Sequence, residues 1–182
     1  MLRAVVAVGG PPGSGKSTAG RALAATFGLA YHSAGGLFRA EAARSGLDLE
    51  AFSRYAESHP EIDRTVDEAM ARLGRPGALL DGRIQGPLLR RRGVPVYVIA
   101  ITAAEDERIR RVAARDGQSL AEAARRIRQR AESERTRYRA EYGIDLDREP
   151  ADLVVDTTEL PPAAVHDRIA AYLRAREAGA PP

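Results

Sequence analysis

The residues with the clearest chemistry run from Gly10 to Thr18, in the order Gly10-Pro11-Pro12-Gly13-Ser14-Gly15-Lys16-Ser17-Thr18. They fit the pattern G-x-x-x-x-G-K-[ST], which joins a strand to a helix and wraps phosphate oxygens in backbone N–H groups. The glycines let successive N–H groups turn inward without side-chain bulk. The helix that starts there adds the positive end of its dipole. The Ser17 hydroxyl stands where it can ligate Mg2+, and Thr18 adds a second hydroxyl. Lys16 is the only lysine in a chain that carries 28 basic residues. A compact ammonium on a flexible stem reaches β- and γ-phosphates through a narrow gap and follows a migrating phosphoryl group, where a broad planar guanidinium fits poorly.

Two further groups of residues suit the same chemistry. In Ala78-Leu79-Leu80-Asp81-Gly82-Arg83 an apolar run ends in a carboxylate. If that run is a strand beside the first one, Asp81 joins Ser17 as a Mg2+ site, directly or through water; the alternative is a turn aspartate before Gly82. Arginines crowd between Arg108 and Arg139. Arg126, Arg130 and Arg137 fall at i, i+4 and i+11, nearly one helical face. Glu134 lies between the last two, placed to hold both guanidinium groups for bidentate contact with phosphates. Arg111 and Arg115 form another i, i+4 pair. Arg125, Arg128 and Arg139 read as a solvated, salt-bridged surface. His32, beside the site segment, reads as a packing or polar-contact residue.

The elements that must position these groups alternate. Strands are predicted at 4–8, 29–33, 78–80, 94–101 and 153–155, as short β-rich apolar runs. Helices are predicted at 15–27 (ended by Gly28), 35–44, 48–57, 61–73, 104–115, 120–141 and 163–176. Apolar strands alternating with helices imply an α/β chain, three-layer α/β/α, with a central parallel sheet covered on both faces. We expect one domain over residues 1–177, carrying two helix-rich excursions at about 35–75 and 111–142, and a frayed tail at 178–182.

Bulk properties narrow the class. The chain has 182 residues, 44% hydrophobic and 29% charged, as in ordinary globular proteins. It has no cysteine, which removes disulfides, thiolate metal sites and cysteine nucleophiles and fits a reducing, cytoplasmic setting. No apolar run is long enough for a membrane span, and none has the pattern of a secretory leader. A formal net charge of +3 is too small to signal nucleic acid by itself, and stacking aromatics hardly interleave the arginines.

Several segments in order resemble one family: GPPGSGKST, SAGGLFR (33–39), FSRYAESHPEIDR (52–64), DGR (81–83), RAESERTRYRAEYGIDLD (130–147) and DLVVDTT (152–158). They are similar to the short, archaeal-type cytidylate kinases, among the nucleoside monophosphate kinases. The resemblance implies a P-loop kinase fold in which the first excursion is a monophosphate-binding insertion and the second an arginine-rich lid. It implies transfer of a phosphoryl group from ATP, with Mg2+, to CMP or dCMP. On that basis Gly10 to Thr18 bind ATP, Ser33 and Arg39 belong to the monophosphate site, and Arg83 holds the acceptor. Arg111 and Arg115 match lid arginines that meet adenine and the donor phosphates, while Arg130, Glu134 and Arg137 surround the acceptor and the transferring group. The expected partners are small nucleotides, with no nucleic acid and no membrane, and the chain is expected to act as a monomer. Two positions differ: Gly36 stands where an acidic residue is expected, and Ile84 follows DGR where long bacterial relatives carry an aspartate that reads the acceptor. Other acceptors, AMP or a hydroxylated metabolite, remain open from sequence, as does a noncatalytic RNA-binding P-loop protein.

Overall fold

The structure is a computed structural model that describes residues 2–179. Five parallel strands form one sheet in the order β2-β3-β1-β4-β5. They are β1 (Val5–Gly9), β2 (Ala30–Ser33), β3 (Ala78–Asp81), β4 (Val96–Thr102) and β5 (Leu153–Asp156). The apolar run of β1 occupies the centre, paired with β3 through Val6 and Leu79 and with β4 through Val6 and Tyr97. A strand with neighbours on both edges and helices on both faces is buried all round, which is why it reads as an unbroken apolar run.

The two faces carry different helices. α1 (Lys16–Phe27) and α8 (Pro162–Glu177) set Leu23, Ala24, Ile169 and Leu173 against Val6, Val8, Leu79, Ile99 and Ile101. The opposite face of the sheet, with Val5, Ala78 and Leu80, receives Val66, Met70 and Leu89 from α4 (Pro60–Leu73) and α5 (Gln85–Arg91). Because the order reverses at β1, a crevice opens at the carboxyl ends of the central strands, the usual ligand position in open α/β sheets.

Between β2 and β3 the chain makes α2 (Ala34–Arg44), α3 (Leu49–Glu57) and α4. After β4 it makes a helical hairpin, α6 (Glu105–Asp116) and α7 (Leu120–Tyr142). The hairpin is closed by Ile109, Val112 and Ala113 against Ala123 and Ile127. Ser119 begins α7 with a capping box: its hydroxyl accepts the Glu122 N–H, and the Glu122 carboxylate accepts the Ser119 N–H.

Most element ends fall within a residue or two of expectation. α5 was not anticipated, because it is short and opens Gln85-Gly86-Pro87. Those residues fall in the first turn, where the missing proline N–H has no helical partner to lose. Gly86 is needed there by packing, since a Cβ would sit 2.7 Å from Val98 Cγ1. β4 starts at Val96 rather than Val94 and extends to Thr102. α8 is followed by Ala178 as its cap, and residues 180–182 of the expected tail lie outside the described residues. No helix among the described residues is long and apolar enough to cross a membrane.

Replacing Ser119 with Ala removes one of the two reciprocal bonds that start α7. The expected cost is about 1 kcal/mol, read as a lower urea midpoint with an unchanged slope.

Candidate active site

The turn after β1 is built by conformation and by supports beneath it. Gly10, Gly13 and Gly15 have φ of 143°, 82° and 91°, so the loop curls its N–H groups into one concavity before α1 begins at Lys16. Gly13 also has no room for a side chain, because a Cβ would lie 2.9 Å from the Arg108 carbonyl oxygen. Arg108 supports the loop from outside, donating from Nη1 to the Pro12 carbonyl (3.2 Å) and from Nε to the Ala103 carbonyl (3.1 Å). Thr157 supports it from below, its Oγ1 donating to the carbonyls of Ser14 and Thr102, each at 3.0 Å. The Ser14 hydroxyl is buried without a hydrogen-bond partner among the described residues.

Lys16 points its ammonium back to the Pro11 carbonyl, 3.1 Å away. Loss of water by burial pulls its pKa down to about 8; Asp81 opposes this, and Arg130 and Arg83 add to it while Glu134 opposes them. Ser17 Oγ donates to Asp81 Oδ2 at 2.6 Å, and Tyr31 Oη donates to the same oxygen at 2.6 Å. Parallel pairing of β2 with β3 sets Ser33 opposite Asp81, at the carboxyl end of both strands. Asp81 is 3% exposed and Ser17 is exposed, so a hydroxyl and a carboxylate meet at the mouth of the loop. No group of three or more acidic or histidine ligands occurs among the described residues. A Mg2+ ion that keeps waters and takes phosphate oxygens suits so small a protein ligand set.

A second charged layer lies above. Arg130 Nε donates to Glu134 Oε1 (2.8 Å), and Arg83 Nε lies 2.9 Å from Glu134 Oε2. Arg83 Nε and Glu134 Oε2 make an ion contact without an aligned hydrogen bond. Burial pushes the Glu134 carboxyl up, but Arg130 and Arg83 outweigh it, so its pKa is lowered and it stays ionised.

Here the structure corrects the sequence expectation that Glu134 holds both Arg130 and Arg137. Its partners are Arg130 and Arg83. Arg137 is held instead by Asp63 Oδ2 (3.0 Å) on α4 and donates to the Ser53 carbonyl (3.1 Å) on α3. Its guanidinium carbon lies 5.4 Å from the centre of the Phe38 ring. Arg137 lies about two helical turns beyond Arg130, far enough along α7 for the insertion residues Asp63 and Ser53 to capture it in place of Glu134.

The remaining anticipated residues are spread around this centre. Ser33 Oγ caps α2 by accepting the Gly36 N–H (3.2 Å). Arg39 is exposed and has no hydrogen-bond or ion-pair partner among the described residues. Arg111 donates to Thr157 Oγ1 (2.9 Å) and to the Thr157 carbonyl (2.6 Å), and pairs with Glu107. Arg115 pairs with Asp116 at the surface (2.7 Å) and touches no cradle residue here. Ile84, fully buried, packs with Leu88, Tyr138 and Ile144, so the position after Arg83 faces the core and not a ligand.

Sequence reasoning missed Tyr31, Arg108 and Thr157, and the buried Asp63, Asp67 and Tyr142 that lie around Gln85. Gln85 Nε2 donates to Asp67 Oδ1 (3.1 Å), and Tyr142 Oη donates to Asp67 Oδ2 (2.9 Å). Burial pushes the Asp67 pKa up to about 7, against the Tyr142 hydrogen bond. The i, i+4 repeat of Asp63 and Asp67 was a signal, but on a helix it normally marks a solvated face. Most α7 arginines carry an acidic partner: Arg125 with Glu50, Arg126 with Asp116, Arg128 with Glu105, Arg135 with Asp147 and Arg139 with Asp145. A helix so neutralised is not a polyanion surface.

A parallel 2-3-1-4-5 sheet with a phosphate cradle after its first strand, supported by a carboxylate on the adjacent strand, defines a P-loop kinase. The family model of an AAA domain matches residues 9–145. A cytidylate kinase from Pyrobaculum arsenaticum is 45% identical over 86% of this chain and 85% of its own length. One from Methanopyrus kandleri is 39% identical over 86% of each chain. Among solved structures, a shikimate kinase from Acinetobacter baumannii in complex with shikimate matches the fold with a TM-score of 0.64 at 18% identity, covering 95% of this chain and 94% of its own. The chain belongs to the cytidylate kinase family.

A free-state pKa of about 8 for Lys16 has a measurable sign. Phosphates raise that pKa, so nucleotide binding takes up a proton above about pH 8 and none well below it. Calorimetric titration of Mg-ATP in two buffers of different ionisation enthalpy is expected to show uptake of about half a proton at pH 8. Uptake should shrink at pH 7 and vanish at both pH values in Lys16→Met.

Proposed function

We propose that this protein catalyses Mg2+-dependent transfer of the terminal phosphoryl group of ATP to CMP or dCMP, giving ADP and the cytidine diphosphate. The observation that carries this reading is the convergence of Lys16, the Ser17–Asp81 contact and the Arg83–Glu134–Arg130 layer at one strand end. One set of groups suits a metal-chelated triphosphate, and the layer facing it suits a second anion.

The reaction needs in-line placement of two anions and neutralisation of the charge that spreads over the moving group. The backbone N–H groups between Gly13 and Thr18 and the Lys16 ammonium hold the donor phosphates, and Lys16 travels with the transferring group. Ser17 and Asp81 would hold the Mg2+, which would supply positive charge to shield the donor phosphates. Arg111, anchored on Thr157, borders the adenine position, and Arg115 swings in from the surface to the donor phosphates. Arg39, with its free guanidinium, and Arg83 hold the acceptor phosphate beside Ser33, with Arg137 binding it from the insertion. Arg130 faces the transferring group, and Glu134 keeps Arg130 and Arg83 aimed there. No general base is assigned, since the acceptor phosphate is already a nucleophilic anion. The insertion (35–75) and the α6–α7 arm (111–142) close over both substrates and exclude water, which would otherwise take the phosphoryl group.

We infer that the protein acts as a monomer, and the reaction fits a cytoplasmic role in pyrimidine nucleotide supply. Transfer to AMP or another acceptor is the competing reading. ADP release measured with CMP, dCMP, UMP, AMP and GMP in turn separates them: the cytidine nucleotides are expected to give the highest kcat/KM, and AMP as best acceptor would overturn the assignment. Lys16→Ala is expected to lower kcat at least about hundredfold with an unchanged melting temperature. An unchanged rate removes Lys16 from the mechanism.

A further inference from the structure

Gln85 opens α5 only four residues after Asp81 and lies across the carboxyl ends of β2 and β3. A Cβ on Gly82 would come within 2.7 Å of its Cγ and 2.8 Å of its Nε2, and within 3.1 Å of Ala34 Cβ at the start of α2. The side chain therefore lies flat over Gly82, between the strand that carries Asp81 and the helix that Ser33 caps. It is 1% exposed, an unusual place for a carboxamide unless both of its ends are used.

Only one end is used within the protein. Nε2 donates to Asp67 Oδ1, whose other oxygen accepts from Tyr142. Both oxygens of Asp67 are thus acceptors, so the ionised carboxylate fixes which way the amide turns: nitrogen toward Asp67, oxygen away. Gln85 Oε1 accepts no hydrogen bond among the described residues, and it is not among the sealed partnerless atoms, unlike Ser133 Oγ and Glu134 Oε2. A bare acceptor that is locked in orientation and keeps a trace of access favours a donor brought by a ligand. Next to it, Asp63 spends one oxygen on Arg137, so the local surface is rich in acceptors. Ile84, which directs its side chain into the core, cannot serve this purpose.

We propose that Gln85 reads the base of the acceptor nucleotide, its Oε1 accepting the exocyclic amine of cytosine, with Asp67 as the positioning residue that holds the amide in that orientation. Uracil presents a carbonyl oxygen at the same place. Two acceptors facing each other leave both unsatisfied and repel, which is the strongest form of discrimination a hydrogen-bonding site can make. This inference rests on the cytidylate kinase reading and adds to it the residue that separates cytosine from uracil.

The test compares kcat/KM for CMP and UMP on the same preparation, at saturating Mg-ATP and pH 8, where Asp67 is ionised. The wild-type ratio is expected to favour CMP at least about tenfold. Gln85→Leu, similar in volume, is expected to lower that ratio at least about tenfold with KM for ATP unchanged. Asp67→Asn frees the amide to turn its nitrogen outward and is expected to shift the ratio toward UMP. A partly unfolded variant slows both acceptors equally and leaves the ratio alone, so a loss of stability does not imitate the effect. If Gln85→Leu is inactive, equilibrium binding of CMP and UMP to it supplies the same ratio. A wild-type protein that uses CMP and UMP equally, or a ratio unmoved in both variants, overturns the role of Gln85 and leaves the kinase reading standing. A wild-type protein that phosphorylates neither nucleotide overturns the kinase reading first.

Discussion

Positive charge crowded into a half-buried crevice is the constraint on which this structure depends. The N–H groups of the turn from Gly13 to Lys16, the Lys16 ammonium and the guanidinium groups of Arg83 and Arg130 lie near one another at the end of β1 and β3. Glu134 and Asp81 supply the facing negative charge. Such a cluster holds together only if its buried members are paired, and removing one partner leaves an uncompensated charge that costs several kcal/mol. The lowered pKa of Lys16 records the same tension. Polyphosphate anions relieve it, so the energetic weakness of the empty cluster is the source of its affinity for them.

Mechanical coupling follows from the same contacts. α6 is fastened to the cradle through Arg108 and Pro12 and, through Arg111 and Thr157, to the carbonyl of Ser14. α7, which packs on α6, brings Arg130 and Glu134 over the cradle and Arg137 to the insertion. Hydrogen bonds, the apolar α6–α7 seam and ion pairs together thus link donor loop, arm and insertion. The unpartnered Arg39 and the surface-paired Arg115 are the members left free to move. Exposed pairs of that kind are worth little, so exchanging Asp116 for phosphate costs Arg115 little.

The sheet and the cradle were legible because local chemistry dictates them. An apolar run, a glycine-rich turn with one lysine and a capped helix have few structural solutions, and Asp81 ends a run that had to be a strand. The partner of Glu134 was not legible. Helical spacing places Arg130 and Arg137 at i−4 and i+3 of Glu134, but only the tertiary packing of α7 decides that Asp63 captures Arg137 and that Arg83, in the bend after β3, takes its place. Arg108 was indistinguishable from its arginine neighbours, since its task depends on the Pro12 carbonyl lying beside it. The place of Gln85 was hidden because Gly86 and Pro87 concealed a helix start whose first side chain lies in the interior.

The central claim is that donor and acceptor lie end to end in a single charged crevice. Equilibrium binding of a bisubstrate compound that joins adenosine to cytidine through five phosphates tests it most directly. If the claim holds, one equivalent binds per chain, at least about a hundredfold more tightly than ATP or CMP alone, because joining the two ligands removes one association cost. Affinity no greater than that of ATP would mean that the two anions are not held in line, and the account built on this crevice would fail.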